Sequence, residues 1–248
     1  MMDTAVIMAA GKGTRFGSLT RDMPKGFIPF KGKPMVERSI ENLLACGITR
    51  IIIGTGYHKE YYEELAARYP EVETVFSPEY ADTNSMETLY RCKEAIGENG
   101  FLLLESDIVY ERKAIKELID DAHPNILLVT PVMKFQDQYY IAADPDSHYL
   151  EGCSTRKEEI LERYGTEPYG ELVGIHKISN LFYKRMVEDY AARRDEKKKR
   201  GYEFQLEDIN GAGAEEEGIF VLRDDDLQWY EIDDLKDLEY AEKNVGIE

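Results

Sequence analysis

The sequence predicts an α/β protein with a mostly parallel, mixed central sheet flanked by helices and a small β-rich insertion in its second half. Three observations carry that expectation. Short apolar runs with β-branched residues alternate with helix-patterned segments through residue 130, as in parallel strands buried on both faces. From residue 131 to 178 the alternation loosens into short strands and turns such as A-A-D-P-D-S-H and E-G-C-S-T-R. No internal repeat, low-complexity tract or interdomain linker interrupts the 248 residues. They read as one domain with a first half at 1–130 and a second at 131–248.

The first apolar run, residues 4–9, breaks into Gly11, Gly13 and Gly17, so a glycine loop follows a buried strand. Glycine takes φ > 0 and has no Cβ in the way, which lets successive N–H groups turn toward one anion. Ala9, Ala10, Gly11, Lys12, Gly13 and Thr14 make up this candidate phosphate cradle. Arg15 adds a guanidinium fork, and Lys25, after Pro24, a compact point charge. Together they suit a triphosphate. A P-loop is excluded because Val6 stands where its first glycine belongs, five residues before Gly11, and G-x-G-x-x-x-G is one residue too long for a dinucleotide fingerprint. A glycine turn without a ligand is the plainer alternative.

Next, Pro34 opens a helix reaching residue 46, with Val36, Ile40, Leu43 and Leu44 at helical spacing and Gly47 beyond its end. A strand at 50–54, a helix at 60–69 closed by Pro70 and a strand at 72–77 complete a βαβαβ start whose loops face one crevice. Asn84 and Ser85 stand where the following loop turns into a helix at 86–96, as caps, as ligand contacts, or as both. The apolar strand at 101–104 ends in Glu105, Ser106 and Asp107. An acid there faces the crevice of the glycine loop and is placed to hold a divalent cation; the alternative is a cap on a helix at 112–121.

A strand at 126–130 precedes the irregular stretch, which holds a short helix near 157–164. Tyr139, Tyr140, Tyr149 and Tyr169, with Asp144, Asp146, Glu151 and Glu171, offer aromatic faces and carboxylates to a cationic group. G-E-L-V-G-I-H-K-I-S is a strand, and a helix at 180–194 runs into the solvated charges of D-E-K-K-K-R. Y-E-F-Q-L-E-D-I-N reads as a helix ended by G-A-G-A, and 218–223 as a strand. Finally a short strand at 229–232 meets Asp233 just before a helix starting near Leu235, where Asp233 or Asp234 is also a natural N-cap.

A net charge of −18 argues against a nucleic-acid backbone as partner. The distribution is uneven: residues 1–33 hold six basic and two acidic side chains, a net +4 that leaves −22 on the remainder. A basic island in an acidic chain suggests a small polyanion site. Three widely spaced cysteines and four histidines show neither disulfide nor metal-ligand spacing. Mean hydropathy of −0.49, the lack of a membrane-length apolar run and the lack of a signal-peptide pattern make cytoplasmic residence, without a membrane partner, the default expectation.

A-A-G-K-G-T-R-F followed by P-K-G-F-I-P-F-K-G-K-P-M-V-E resembles the signature of nucleotidylyltransferases that join a nucleoside monophosphate to a sugar phosphate, phosphocholine or aminoethylphosphonate. P-K-G-F, E-S-D-I-V-Y-E and G-E-L-V-G-I are similar to the 2-aminoethylphosphonate cytidylyltransferases. The resemblance spans almost the whole chain and implies a Rossmann-like nucleotidyltransferase fold. It implies CTP and a small phosphonate or phosphate acceptor as partners, Mg²⁺ as cofactor, and Lys25 and Arg15 as catalytic cations. Asn84 and Ser85 would face the nucleobase, and Asp107 and Asp233, the latter from W-Y-E-I-D-D, would hold the metal. The first half would bind the nucleotide and the second the acceptor, with Glu171, Tyr139 and Trp229 as candidate contacts. Phosphocholine is the alternative acceptor and a sugar 1-phosphate a third. A nucleotide-binding regulatory module without transfer and an NAD-dependent oxidoreductase are the rivals from other classes. A homodimer stays open.

Overall fold

The computed structural model describes residues 2–17, 19–133, 138–210 and 217–247. The expected G-A-G-A helix end lies outside these. In chain order the elements begin with β1 (Thr4–Ala9), the short hairpin β2 (Pro29–Phe30) and β3 (Lys33–Pro34), and α1 (Met35–Ala45). Then come β4 (Arg50–Thr55), α2 (Lys59–Ala66), β5 (Val72–Phe76), α3 (Ser85–Arg91) and α4 (Lys93–Ile96). β6 (Phe101–Glu105), β7 (Ile108–Tyr110), α5 (Lys113–Asp120) and β8 (Ile126–Thr130) close the first half. The second holds β9 (Tyr140–Ala143), β10 (Leu150–Ser154), α6 (Lys157–Tyr164), β11 (Gly170–Ile178), α7 (Asn180–Ala192) and α8 (Arg194–Lys197). It ends with α9 (Tyr202–Asn210), β12 (Phe220–Arg223), β13 (Trp229–Glu231) and α10 (Leu235–Asn244).

The main sheet has nine strands among the described residues, in the order β10-β9-β11-β6-β1-β4-β5, with β8 paired to both β11 and β12. β5, β4, β1 and β6 are mutually parallel, so their C-terminal ends open on one side. β11 then enters antiparallel to β6 and continues the sheet into the second half. The expected mixed, mostly parallel, Rossmann-like sheet flanked by helices is the fold.

All six residues of β1 are buried, and their alternation explains the layers. Val6 and Met8 pack with Met86, Leu89, Phe182 and Met186 on one face, while Ala5, Ile7 and Ala9 meet Val36, Ile40 and Leu43 on the other. A period-two strand buried on both sides needs apolar residues at every position, which is why it reads as an unbroken run. Burying a side chain of this size contributes about 1.5–3 kcal/mol.

Two departures from the sequence reading bear on the site. The helix expected at 86–96 is two pieces meeting at Cys92. β7, which leaves Asp107, and β13, which runs into Asp233, pair antiparallel outside the main sheet, with Glu231 opposite Ile108. That small ribbon brings together two acidic motifs far apart in sequence. No helix among the described residues is long and apolar enough to cross a membrane.

Candidate active site

The glycine loop leaves the C-terminal end of β1 and turns left-handed at Gly13, at φ 58°. A Cβ on Gly13 would stand 3.0 Å from the Lys25 Cβ and 3.2 Å from the Thr20 methyl, so this position requires glycine for both conformation and space. The Thr20 hydroxyl donates to the Gly13 carbonyl at 2.8 Å and pins the turn. Pro24 is extended, and Lys25 opens a single tight turn after it. Gly26 packs under Ser106: a Cβ there would stand 3.2 Å from the Ser106 carbonyl oxygen. The small residue in P-K-G-F thus seats Lys25 beside the end of β6.

Lys25 is almost buried, and its ammonium lies between two carboxylates. It donates to Asp107 Oδ2 and, at 2.6 Å, to Asp233 Oδ1. Arg15, half-exposed, reaches Asp233 Oδ1 at 3.0 Å. Burial opposes the charge on Lys25, but the nearby Asp107 and Asp233 carboxylates outweigh it and raise its pKa above the ordinary lysine value. The ammonium is therefore permanent at neutral pH.

The alternatives for the two aspartates are resolved by their neighbours. Asp234 caps α10, accepting from the Lys236 and Asp237 N–H groups at 2.7 and 3.0 Å, which leaves Asp233 to the crevice. α5 starts after Arg112 without a side-chain cap, so Asp107 has no capping duty. The Ile232 N–H donates to the Asp107 carbonyl at 2.9 Å, locking the two acidic motifs in register.

Glu231 joins them: carboxylate oxygens of Asp107, Glu231 and Asp233 lie within 4.8 Å of one another. The buried Asp107 Oδ1 has no hydrogen-bond partner. Three hard oxygen donors and an unsatisfied carboxylate oxygen fit a small divalent cation of the Mg²⁺ kind.

Three adjoining cavities surround this cluster, and Asn84 and Glu105 belong to the walls of all three. One, of about 350 Å³, is lined by Gly11, Gly13, Thr14, Arg15, Lys25 and the two aspartates. A second, about 180 Å³, lies between Met8, Ala10, Gly11, Tyr80 and the start of α3. The third, about 230 Å³, carries Glu105, Glu203 and Glu231 with Gln138, Tyr139 and Tyr202. Burial, then repulsion from Asp107, holds the Glu105 carboxyl well above the usual carboxylate range. Burial pushes Glu203 up to about 7.

The arrangement is a glycine-lined cavity, two cations, a carboxylate triad and an acid-lined side pocket, beside the C-terminal ends of β1 and β6. The family profile described as nucleotidyl transferase matches residues 4–246. The chain belongs to the nucleotidyl transferase family. This nucleotidyl transferase is similar to the 2-aminoethylphosphonate cytidylyltransferase of Lancefieldella rimae, 38% identical over 105 residues that make up 42% of this chain and 43% of that one. It is also similar to the CMP-5'-(3-aminopropyl)phosphonate synthase of Streptomyces rubellomurinus, 24% identical over 249 residues covering 96% of this chain and 38% of that one. The chain thus spans less than half the length of these two curated relatives. Among solved structures, the CTP:phosphocholine cytidylyltransferase of Streptococcus pneumoniae superposes with a TM-score of 0.78 at 23% identity, covering 98% of this chain and 99% of that one. That likeness is one of fold.

Within this nucleotidyl transferase, the expected site residues Lys25, Arg15, Gly11, Gly13, Thr14, Asn84, Ser85, Asp107 and Asp233 line two adjoining cavities. Ala10 lines the small cavity and accepts from the Tyr57 N–H at 3.1 Å. Ala9 is buried as the last residue of β1, and exposed Lys12 stands 6.0 Å from the centre of the Tyr80 ring at the cavity mouth. Tyr139 is in the side pocket. Trp229 and Glu171 are corrections. The Trp229 ring is 3% exposed and its Nε1 donates to Thr130 Oγ1 at 2.9 Å, which makes it core. Glu171 is fully buried in β11, accepts from the Met133 N–H at 2.9 Å and lines none of the three cavities.

The sequence reading missed Glu231 and Glu203. Glu231 had a signal: two residues before Asp233 at the end of a strand, it shares that residue's face. Glu203 had none, since only the packing of α9 against the sheet brings it to the pocket.

Proposed function

We propose that the chain is a cytidylyltransferase that converts CTP and 2-aminoethylphosphonate to CMP-2-aminoethylphosphonate and pyrophosphate, acting in the cytoplasm. The observation that carries the acceptor is the side pocket beside the carboxylate triad, with Glu105, Glu203, Glu231 and Gln138 around one small volume. A primary ammonium presents N–H donors and needs such acceptors, whereas a quaternary ammonium has none and favours aromatic faces. Tyr202 is fully buried with its hydroxyl 3.2 Å from His176 Nε2, so of the two tyrosines lining the pocket only the half-buried Tyr139 offers an accessible ring.

A phosphonate oxygen attacks the α-phosphorus of CTP in line; the new O–P bond forms as the bond to the β-phosphate oxygen breaks and pyrophosphate leaves. The acceptor is an anion at neutral pH, so no side-chain base is needed. The obstacle is repulsion between two anions, and the protein answers it with positioning and fixed charge. The Gly11 and Gly13 loop presents backbone donors to the phosphates, while Lys25 and Arg15 neutralise charge at the reacting centre. Mg²⁺, held by Asp107, Glu231 and Asp233, would supply Lewis-acid polarisation of the phosphate oxygens. The small cavity between Tyr80 and Asn84 would take the base.

The test is pyrophosphate release with each of the four NTPs and Mg²⁺ against 2-aminoethylphosphonate, phosphocholine, phosphoethanolamine and glucose 1-phosphate. Release restricted to CTP with 2-aminoethylphosphonate is expected. Preference for phosphocholine would overturn the head-group assignment, and silence with every pair would overturn the transfer itself.

A further inference from the structure

A cavity of about 510 Å³ lies outside the active-site crevice, between α1, β7, the start of α5 and residues 246–247. We propose that it is a binding site for a phosphorylated small molecule that acts on the acceptor pocket through β7. Its volume falls in the range of about 300–1,000 Å³ usual for small-molecule sites. It contains none of the cradle, triad or side-pocket carboxylate residues. In a chain of net charge −18 its walls carry Lys33, Arg38, Arg112 and Lys113 against Glu41 and Glu111, a local net of +2.

Two of the four cations can take an oxyanion beside or in place of their partners. Lys33 pairs with Glu41 at 2.6 Å with both side chains about two-fifths exposed, and such an open pair contributes little and exchanges readily. Lys113 pairs at 2.7 Å with Asp224, which is only 12% exposed, but its own side chain is 37% exposed and its ammonium has three donors to share. The floor supplies a second, independent pointer. Ser39 and Tyr110 are 1% and 2% exposed, and among the described residues the Tyr110 hydroxyl has the Ser39 and Asn42 side chains beside it but at poor hydrogen-bond geometry. Buried hydroxyls are normally well satisfied, so a poorly bonded pair on residues of a cavity wall marks where a polar ligand could complete the bonding. Guanidinium, ammonium and hydroxyl donors converging in one cleft suit the several acceptor oxygens of a phosphate or diphosphate group. The acidity of the rest of the surface disfavours a nucleic acid there.

The link to chemistry is structural. Ile108 belongs to the walls of both this cavity and the acid-lined side pocket. It directly follows Asp107 and faces Glu231 in the β7–β13 ribbon. A ligand drawing α1 and α5 together across β7 therefore bears on the strand that orients two of the three triad carboxylates. By linkage the coupling runs both ways.

The probe is inorganic pyrophosphate, titrated by calorimetry into the full chain saturated with a non-hydrolysable CTP analogue that fills the phosphate cradle. One further site per chain is expected. Combining Arg112→Glu with Lys113→Glu should weaken it ten-fold or more, while Lys184→Glu with Lys243→Glu, an equal charge change elsewhere, should leave it intact. Tyr110→Phe, which keeps the ring, should weaken it several-fold with an unchanged melting temperature. Hydrogen exchange should show pyrophosphate protecting residues 108–113 and also 229–233. Heat that only reports displacement of the analogue, or equal losses in the two charge-reversed variants, would overturn the site. Protection confined to 108–113 would overturn the coupling. None of these readouts needs turnover, so they stand apart from the acceptor assignment.

Discussion

Lys25→Ala removes the one ammonium that lies between Asp107 and Asp233. The Lys25 Nζ is 2.6 Å from Asp233 Oδ1, and its side chain is only 11% exposed against 6% for Asp233. At an effective dielectric of about 20, charges this close attract by about 6 kcal/mol before desolvation is counted. Desolvation offsets part of that, and removing one partner of a buried pair typically costs about 3–5 kcal/mol. We expect a loss of that size in urea unfolding measured without divalent metal. Adding Mg²⁺ should recover more stability in the variant than in the wild type, because carboxylates left without their cation gain more from the ion.

The pH dependence of this contribution has a definite sign. The folded pKa of Lys25 is raised above its unfolded value of 10.5, so its stabilisation is complete below that value and is lost only as pH climbs through the folded one. The deficit of the variant should therefore be flat from about pH 6 to 9. Pyrophosphate release should fall by about 100-fold or more, the scale of a lost electrostatic stabiliser. A variant as stable as the wild type without metal, or one that turns over near normally, would refute the reasoning.

Further outcomes follow from the same geometry. Asp107→Asn, Glu231→Gln and Asp233→Asn should each shift the Mg²⁺ dependence of pyrophosphate release by about ten-fold or more; an unshifted titration removes that residue from the triad. Burial raises Glu203 from 4.5 to about 7, so stability drains away as pH rises through that window, by at most about 3 kcal/mol, and Glu203→Gln should flatten a melting-temperature profile across it. Over the same window the wild-type KM for an ammonium acceptor should fall as the carboxylate forms, and this slope should vanish in the variant. Gly13→Ala should lower stability by about 1–2 kcal/mol, from its left-handed φ alone, and displace Lys25, visible as a drop in kcat. Trp229→Phe should cost about 1 kcal/mol through the bond lost to Thr130 while leaving the acceptor KM alone; a changed KM would restore Trp229 to the pocket.

What the sequence made legible was local. β1 buries every residue, so its apolar run announces it, and the glycine loop announces itself because Gly13 has a conformation few other residues adopt. Asp107 was readable as an acid at the end of a buried strand. Whether Asp233 or Asp234 capped α10 was not, since the two are chemically identical neighbours and only the Lys236 and Asp237 N–H groups choose between them. Trp229 misled for a related reason. Aromatic residues look alike whether they face a ligand or the core, and its orientation follows from the pairing of β13 with β7, a contact between segments more than a hundred residues apart.

Asn84 and Ser85 show the same limit where the small cavity and the side pocket meet. Asn84 caps α3 by accepting from the Ser85 N–H at 2.7 Å, and its amide also donates to the Lys199 carbonyl at 3.2 Å. Ser85 Oγ accepts from the Tyr202 N–H at 3.0 Å. Both residues therefore tie the loop of the first half to the segment that carries Tyr202 and Glu203 in the second. A base seated against this loop and a head group seated against Glu203 rest on one hydrogen-bonded unit, with Asn84 and Ser85 in the walls of both cavities. If the pair reads the base, as the sequence suggested, and the side pocket takes the acceptor, as proposed, the same two residues would give the two substrates a shared wall.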